Sequence, residues 1–219
     1  MEHKESLNIE HVKPESIEKR SFEIITSELE SRGIVLPEDK AFLIKRAIHT
    51  TADFDYASTL YFSQDAIRIM AELIREGSTI VTDTNMGLSG INKLELSKYG
   101  GEVRCFMADK DVADEAKQRG VTRATVSMER AAALGGKVIF AIGNAPTALI
   151  ELRRLYDENA FSPDFIIGVP VGFVNVEVAK ELIIETDIPC IINRGRKGGS
   201  NVAAAVCNAV LYEMRKGLL

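Results

Sequence analysis

The hydrophobic positions change period once along this chain. Up to Gly77 they recur at helical spacing, with Ile17, Phe22, Ile25 and Leu29 on one stripe and Ala41, Ile44 and Ile48 on another. Pro14 suits a first helical position, and Gly33 a helix end. A second helix is predicted from Pro37, delivering His49 near its end, and a third from Ser63 as N-cap to Gly77. Beyond Gly77, short apolar runs take over at 79–82, 102–107, 137–142, 164–169 and 189–193. Helical stretches are predicted at 87–97, 111–119 with 125–134, 145–157, 175–185 and 200–216. Strands alternating with helices give right-handed crossovers and a mostly parallel sheet. The runs at 137–142 and 164–169 are apolar at nearly every position, as in strands covered on both faces. The expected fold is α/β, a mostly parallel sheet flanked by helices, with N-terminal helices packed on or beside it. Residues 1–12 read as a flexible leader and 13–219 as a single catalytic domain.

Composition narrows the function classes. The 219 residues are 46% hydrophobic and 27% charged, an ordinary globular balance. A net charge of −5, no Trp and only 6% aromatics argue against a nucleic-acid partner or a base-stacking surface. Neither an apolar signal core nor a run of membrane-spanning length is present, so a cytoplasmic protein without a membrane partner is expected. Cys105, Cys190 and Cys207 form no C-x-x-C pair and read as reduced thiols.

In open parallel sheets, ligands bind where the chain leaves the carboxyl ends of the strands. Here those segments are TDTNMG (82–87), MADKD (107–111), GNAPT (143–147), PVGFVN (170–175) and NRGRKGGS (193–200). Thr82, Asp83 and Asn144 are candidate polar contacts within them. Arg194, Arg196 and Lys197 place three cations before Gly198, Gly199 and Ser200, where a helix begins. That pattern suits an anion at a helix N-terminus, although a solvated basic turn would read alike. His3 and His11 lie in the leader. His49, in RAIHTTAD, belongs to the residue type whose unperturbed pKa lies near neutrality; it reads as a general acid or as a cap on the helix macrodipole. No Walker A loop, G-x-G-x-x-G, G-x-S-x-G or metal-ligand spacing occurs, so no cofactor and no metal are expected.

Six segments carry a resemblance: KRSFEII (19–25), RAIHTTAD (46–53), VTDTNM (81–86), AIGNAPTAL (141–149), GVPVGFV (168–174) and NRGRKGGS (193–200). In this order they resemble the precorrin-8X methylmutase family of vitamin B12 biosynthesis over nearly everything after residue 12. The resemblance implies a homodimeric α/β isomerase that shifts a methyl group between adjacent carbons on ring C, giving hydrogenobyrinate or cobyrinate. It places the catalytic histidine on His49 and substrate contacts on Ser21 and Arg46. HTTAD looks closer to the cobalt-dependent branch. The corrinoid's acetate and propionate arms would be anchored by Arg20, Arg46 and the RGRK cluster. A nucleotide-binding oxidoreductase and a non-catalytic tetrapyrrole carrier remain as alternatives.

Overall fold

Strands form in this chain where β-branched and aromatic runs are bounded by turn residues. A computed structural model describes residues 9–219, which leaves His3 outside the described part. The chain divides into two compact units, one up to Val35 and one from Leu36. In the first, Pro14–Ser16 form a 3-10 turn leading into α1 (Ile17–Ser31), and Gly33 at φ 68° follows its end. Pro14 thus opens a turn, one step before the helix proper.

The second unit begins with α2 (Ala41–Thr51), α3 (Tyr56–Thr59), β1 (Leu60–Phe62) and α4 (Ala66–Arg75). It continues with β2 (Thr79–Thr82), α5 (Asn85–Gly90), α6 (Lys93–Ser97), β3 (Glu102–Arg104), α7 (Lys110–Arg119) and α8 (Arg123–Ala132). Then come β4 (Val138–Ile142), α9 (Pro146–Asp157), β5 (Phe165–Gly168), α10 (Val176–Ile184), β6 (Cys190–Asn193) and α11 (Ser200–Arg215).

Four local expectations are corrected. α2 starts at Ala41 because Lys40 N–H first closes a turn on the Pro37 carbonyl. Ser63 does not cap α4; its hydroxyl accepts the Cys190 N–H at 2.8 Å. The single helix expected over 87–97 is two, because Ile91 turns extended and Asn92 caps α6 by accepting Glu95 N–H at 3.0 Å. Residues 60–62 form an unforeseen edge strand, too short for periodicity to register.

The sheet order is β1-β6-β5-β4-β2-β3, with β1 antiparallel and the other pairings parallel. Counted among the parallel strands alone, the order is 2-1-3-4-5, so the chain reverses direction between β2 and β4, the switch point where such sheets bind ligands. Leu60 pairs with Asn193, so the α2–α3 segment arrives at this same carboxyl rim. Alternation sends Val81, Phe140, Ile142, Ile166 and Ile192 into one core layer with buried residues of α8, α9 and α10. α11 packs on β4 and β5 from the other face and meets α4, α5 and α2.

Candidate active site

The rim at the carboxyl ends is built by side chains that bind backbone. Asp83 leaves β2 at 1% exposure, and its carboxylate accepts the N–H groups of Gly143, Asn144 and Ala145 at 2.9, 2.8 and 2.5 Å. Burial pushes the Asp83 carboxyl upward, opposed by those three donors. Both oxygens are occupied, so Asp83 acts as a clip that shapes the 143–145 turn across the switch point. Thr82 is also buried, its hydroxyl donating to the Thr84 carbonyl at 3.0 Å. Asn144 is exposed at the top of the turn. Thr84 donates its hydroxyl to Ser200 at 2.7 Å, joining the β2 end to the start of α11.

Glycine is required where the segments touch. A Cβ on Gly143 would stand 2.5 Å from Ser200 Cα, and one on Gly198 would stand 2.0 Å from the Val169 carbonyl oxygen. Gly199 N–H donates to that carbonyl at 2.9 Å, so the β5 and β6 ends are stitched together.

The basic loop is present but its cations are engaged. Arg196 pairs with Glu177 at 2.7 Å and lies over the Phe173 ring at 5.6 Å. Arg194 pairs with Glu181 at 3.5 Å and lies over Tyr61 at 5.4 Å. Lys197 bridges Asp53 and Asp55, 2.6 Å from each, and holds the Asp53 carboxyl below its usual range. All three cations are roughly half exposed; such pairs contribute only about 0–1 kcal/mol, so an incoming carboxylate can exchange with them.

The Lys197 bridge ties the loop to the segment that follows His49. Leu43, Ile44, Ala47 and Ile48 bury one face of α2, leaving His49 exposed in its last turn. Ala52 ends the helix at φ 55°, and its N–H donates to the Ile48 carbonyl at 2.7 Å. One turn before His49, Arg46 lies over the Tyr212 ring at 5.3 Å. Arg46 and Thr50 line a cleft of about 260 Å³ with Gly90, Asn201, Ala204 and Tyr212, between α2, α5 and α11. Asn201, the second residue of α11, lines one end of it. Tyr56, just after α2, is buried, and burial pushes its phenol up to about 12.

The structure gathers Thr82, Asp83, Asn144, Arg194, Arg196, Lys197, Gly198, Gly199 and Ser200 at the carboxyl ends of the strands, whereas His49 and Arg46 lie on α2, which is tied to that rim through the Asp53–Lys197 pair, with Arg46 reaching Tyr212 near the far end of α11. Arg20 and Ser21 lie in the N-terminal unit, where Arg20 pairs with Glu10 at 2.7 Å and Ser21 donates its hydroxyl to the Ile17 carbonyl at 3.0 Å. Sequence reasoning missed Lys180, wholly buried, whose ammonium donates to the carbonyls of Gly195 and Lys197 at 2.6 and 2.9 Å. A signal existed: Lys180 falls in the apolar stripe of α10, between Val176, Ala179 and Ile183. Among the described residues no group of three His, Cys, Asp or Glu side chains could hold a metal ion.

A sequence model of precorrin-8X methylmutase matches residues 16–213. The chain belongs to that family. Methylmutases are isomerases that transfer a methyl group within one molecule, and this protein is an enzyme of that class. It is 44% identical to the cobalt-precorrin-8 methylmutase of Salmonella typhimurium, over 93% of this chain and 97% of that one. The cobalt-precorrin-8 methylmutase of Priestia megaterium is 43% identical over 91% and 88%. The crystal structure of the Thermus thermophilus precorrin-8x methyl mutase superposes with a TM-score of 0.84, at 34% identity, covering 94% of this chain and 98% of that one. The α/β sheet of this methylmutase is thus the family's architecture. No helix of its described residues is long and apolar enough to cross a membrane.

Proposed function

We propose that this methylmutase converts a precorrin-8 to hydrogenobyrinate or cobyrinate by moving a methyl group between adjacent carbons of ring C, with His49 as general acid. The observation that carries the reading is the exposed His49 in the last turn of α2, just before Asp53, which Lys197 of the RGRK loop holds, in a chain matched by the family over residues 16–213. In a methyl shift, the bond to one ring carbon breaks as the bond to its neighbour forms, and the macrocycle's π-electrons supply the path. A proton delivered by His49 makes the migration terminus electron-poor and traps the rearranged conjugation, an effect of about 10²–10⁴-fold. The composition of the substrate is unchanged, so the delivered proton is matched by one lost from the macrocycle.

Arg194, Arg196, Lys197 and Arg46 receive carboxylate arms, exchanging their present partners for the ligand. Arg20 and Ser21 are further proposed contacts, as is Asn144. The 260 Å³ cleft suits one arm, whereas a ligand of drug size fills about 300–1,000 Å³ and a corrin is larger. The macrocycle therefore rests on the open rim, which favours a homodimer in which a second copy covers it.

A cobalt-bearing substrate is favoured by the relatives. Those named for cobalt-precorrin-8 reach 43 and 44% identity, against 36 and 34% for two named for precorrin-8X. The test is turnover of metal-free and cobalt-containing substrate in parallel, followed by visible absorption. Conversion of either supports the isomerase, and the faster one assigns the branch. Binding with a colour shift but no conversion of either would replace the enzyme by a carrier.

A further inference from the structure

We infer that Lys180 is a positioning residue for ligand binding, because it sets which way the peptide groups of the RGRK loop face. The inference rests on the proposal that this loop receives a carboxylate. Lys180 lies on α10 at 0% exposure, and its ammonium donates to the carbonyls of Gly195 and Lys197. Asn193 Nδ2 donates to the same Lys197 carbonyl at 2.8 Å, and Gly172 N–H donates to the Arg196 carbonyl at 3.1 Å. The carbonyls of Gly195 and Lys197 are thus held inward by buried donors, while the Arg196 carbonyl between them is held by the neighbouring 170–175 loop.

The consequence follows from peptide geometry. In a trans peptide the N–H points opposite to the C=O of the same planar unit. With the carbonyls of Gly195 and Lys197 held on the buried Lys180 ammonium, the N–H groups of Arg196 and Gly198 point away from it. Neither of these two N–H groups has a hydrogen-bond partner among the described residues. N–H groups turned to one side can receive an anion, and these lead directly to the N-terminus of α11. Lys180 neither reaches the ligand nor needs to; it acts through the backbone.

The arrangement also explains why a lysine is kept in an apolar stripe. Burial alone would lower the ammonium's hold on its proton, as it does here, and Glu177 and Glu181 on either side of it along α10 oppose that effect. A methionine of similar length would fill the space without desolvating a charge, and such replacements are often neutral for stability. What methionine cannot do is hold two carbonyls inward.

The experiment compares the full-length parent with Lys180→Met, Lys180→Gln and Arg196→Ala. It reads the dissociation constant for cobyrinate by visible-absorption titration, together with KM, kcat and melting temperature. For Lys180→Met we expect affinity to fall and KM to rise by about tenfold or more, with kcat within about threefold of the parent and no comparable loss of melting temperature. Lys180→Gln, which keeps an N–H donor, should recover part of the lost affinity; it carries the same test should the methionine variant fail to accumulate. Affinity kept in both Lys180 variants while Arg196→Ala loses it would overturn the role of Lys180 and leave the loop as the anion site. Affinity unmoved in all three would overturn the loop reading as well. A lower melting temperature with affinity kept would make Lys180 structural only.

Discussion

Asp83 and Lys180 are buried ions whose hydrogen bonds go to backbone groups. For Asp83, three N–H donors converge on two oxygens. Asp83→Asn turns one of those oxygens into an NH₂ group facing a donor, and losing charge-assisted bonds at a buried site costs about 3 kcal/mol. Urea unfolding of the variant should show that loss; a change under about 0.5 kcal/mol would contradict the clip assigned to Asp83. For Lys180 the pH dependence has a definite sign. Burial lowers its pKa to about 8, while the unfolded chain keeps the ordinary lysine value of about 10.4. Between these values the unfolded state holds a proton that the folded state has released, so the Lys180 contribution to stability rises with pH across the window. Below the window the full burial penalty is present. The stability of Lys180→Met relative to the parent should therefore be greatest near about pH 7 and shrink towards about pH 10. A difference that stays constant over that range would place the native pKa of Lys180 near its unfolded value.

At the scale of elements, the rim depends on two close approaches that only glycine permits. Gly198→Ala drives a methyl group against the Val169 carbonyl at φ 159°, where L-residues are strained in any case. Parting the β5 and β6 loops costs about 2 kcal/mol or more, and affinity for corrinoid should fall with it. An alanine variant with parent-like melting and binding would refute the packing. The strands beyond Gly77 were legible because apolar runs such as VIFAI at 138–142 are buried at every position. β1 was not, since it is an edge strand of three residues whose pairing with β6 is set from the other end of the chain. The RGRK cluster was legible as a basic loop at the end of a strand, but its partners Glu177, Glu181, Asp53 and Asp55 were not. Such pairs join residues far apart in the chain, 142 positions for Lys197 with Asp55 and two more for Lys197 with Asp53, and no local pattern announces them. His49 was legible as a residue, and its exposure on the outer face of α2 follows from the apolar stripe of Leu43, Ile44, Ala47 and Ile48 on the other side.

For the whole molecule, a net charge of −5 and a polyanionic ligand are compatible only if cations gather where the ligand sits. The loop at the end of β6 gathers three, Arg194, Arg196 and Lys197, each paired with a carboxylate that an anionic ligand would have to displace. The open rim also predicts association. Light scattering at micromolar concentration should give twice the chain mass of 24.1 kDa, as a C2 dimer, and a clean monomer would remove that claim. The central claim, that His49 donates the proton on which methyl migration depends, is tested most directly by His49→Ala with rate, affinity and thermal stability taken on one preparation. The account predicts a loss of at least about two decades in turnover, with corrinoid binding and folding largely kept. Turnover within a few-fold of the parent, with or without a drop in melting temperature, would contradict it and leave His49 as a helix cap.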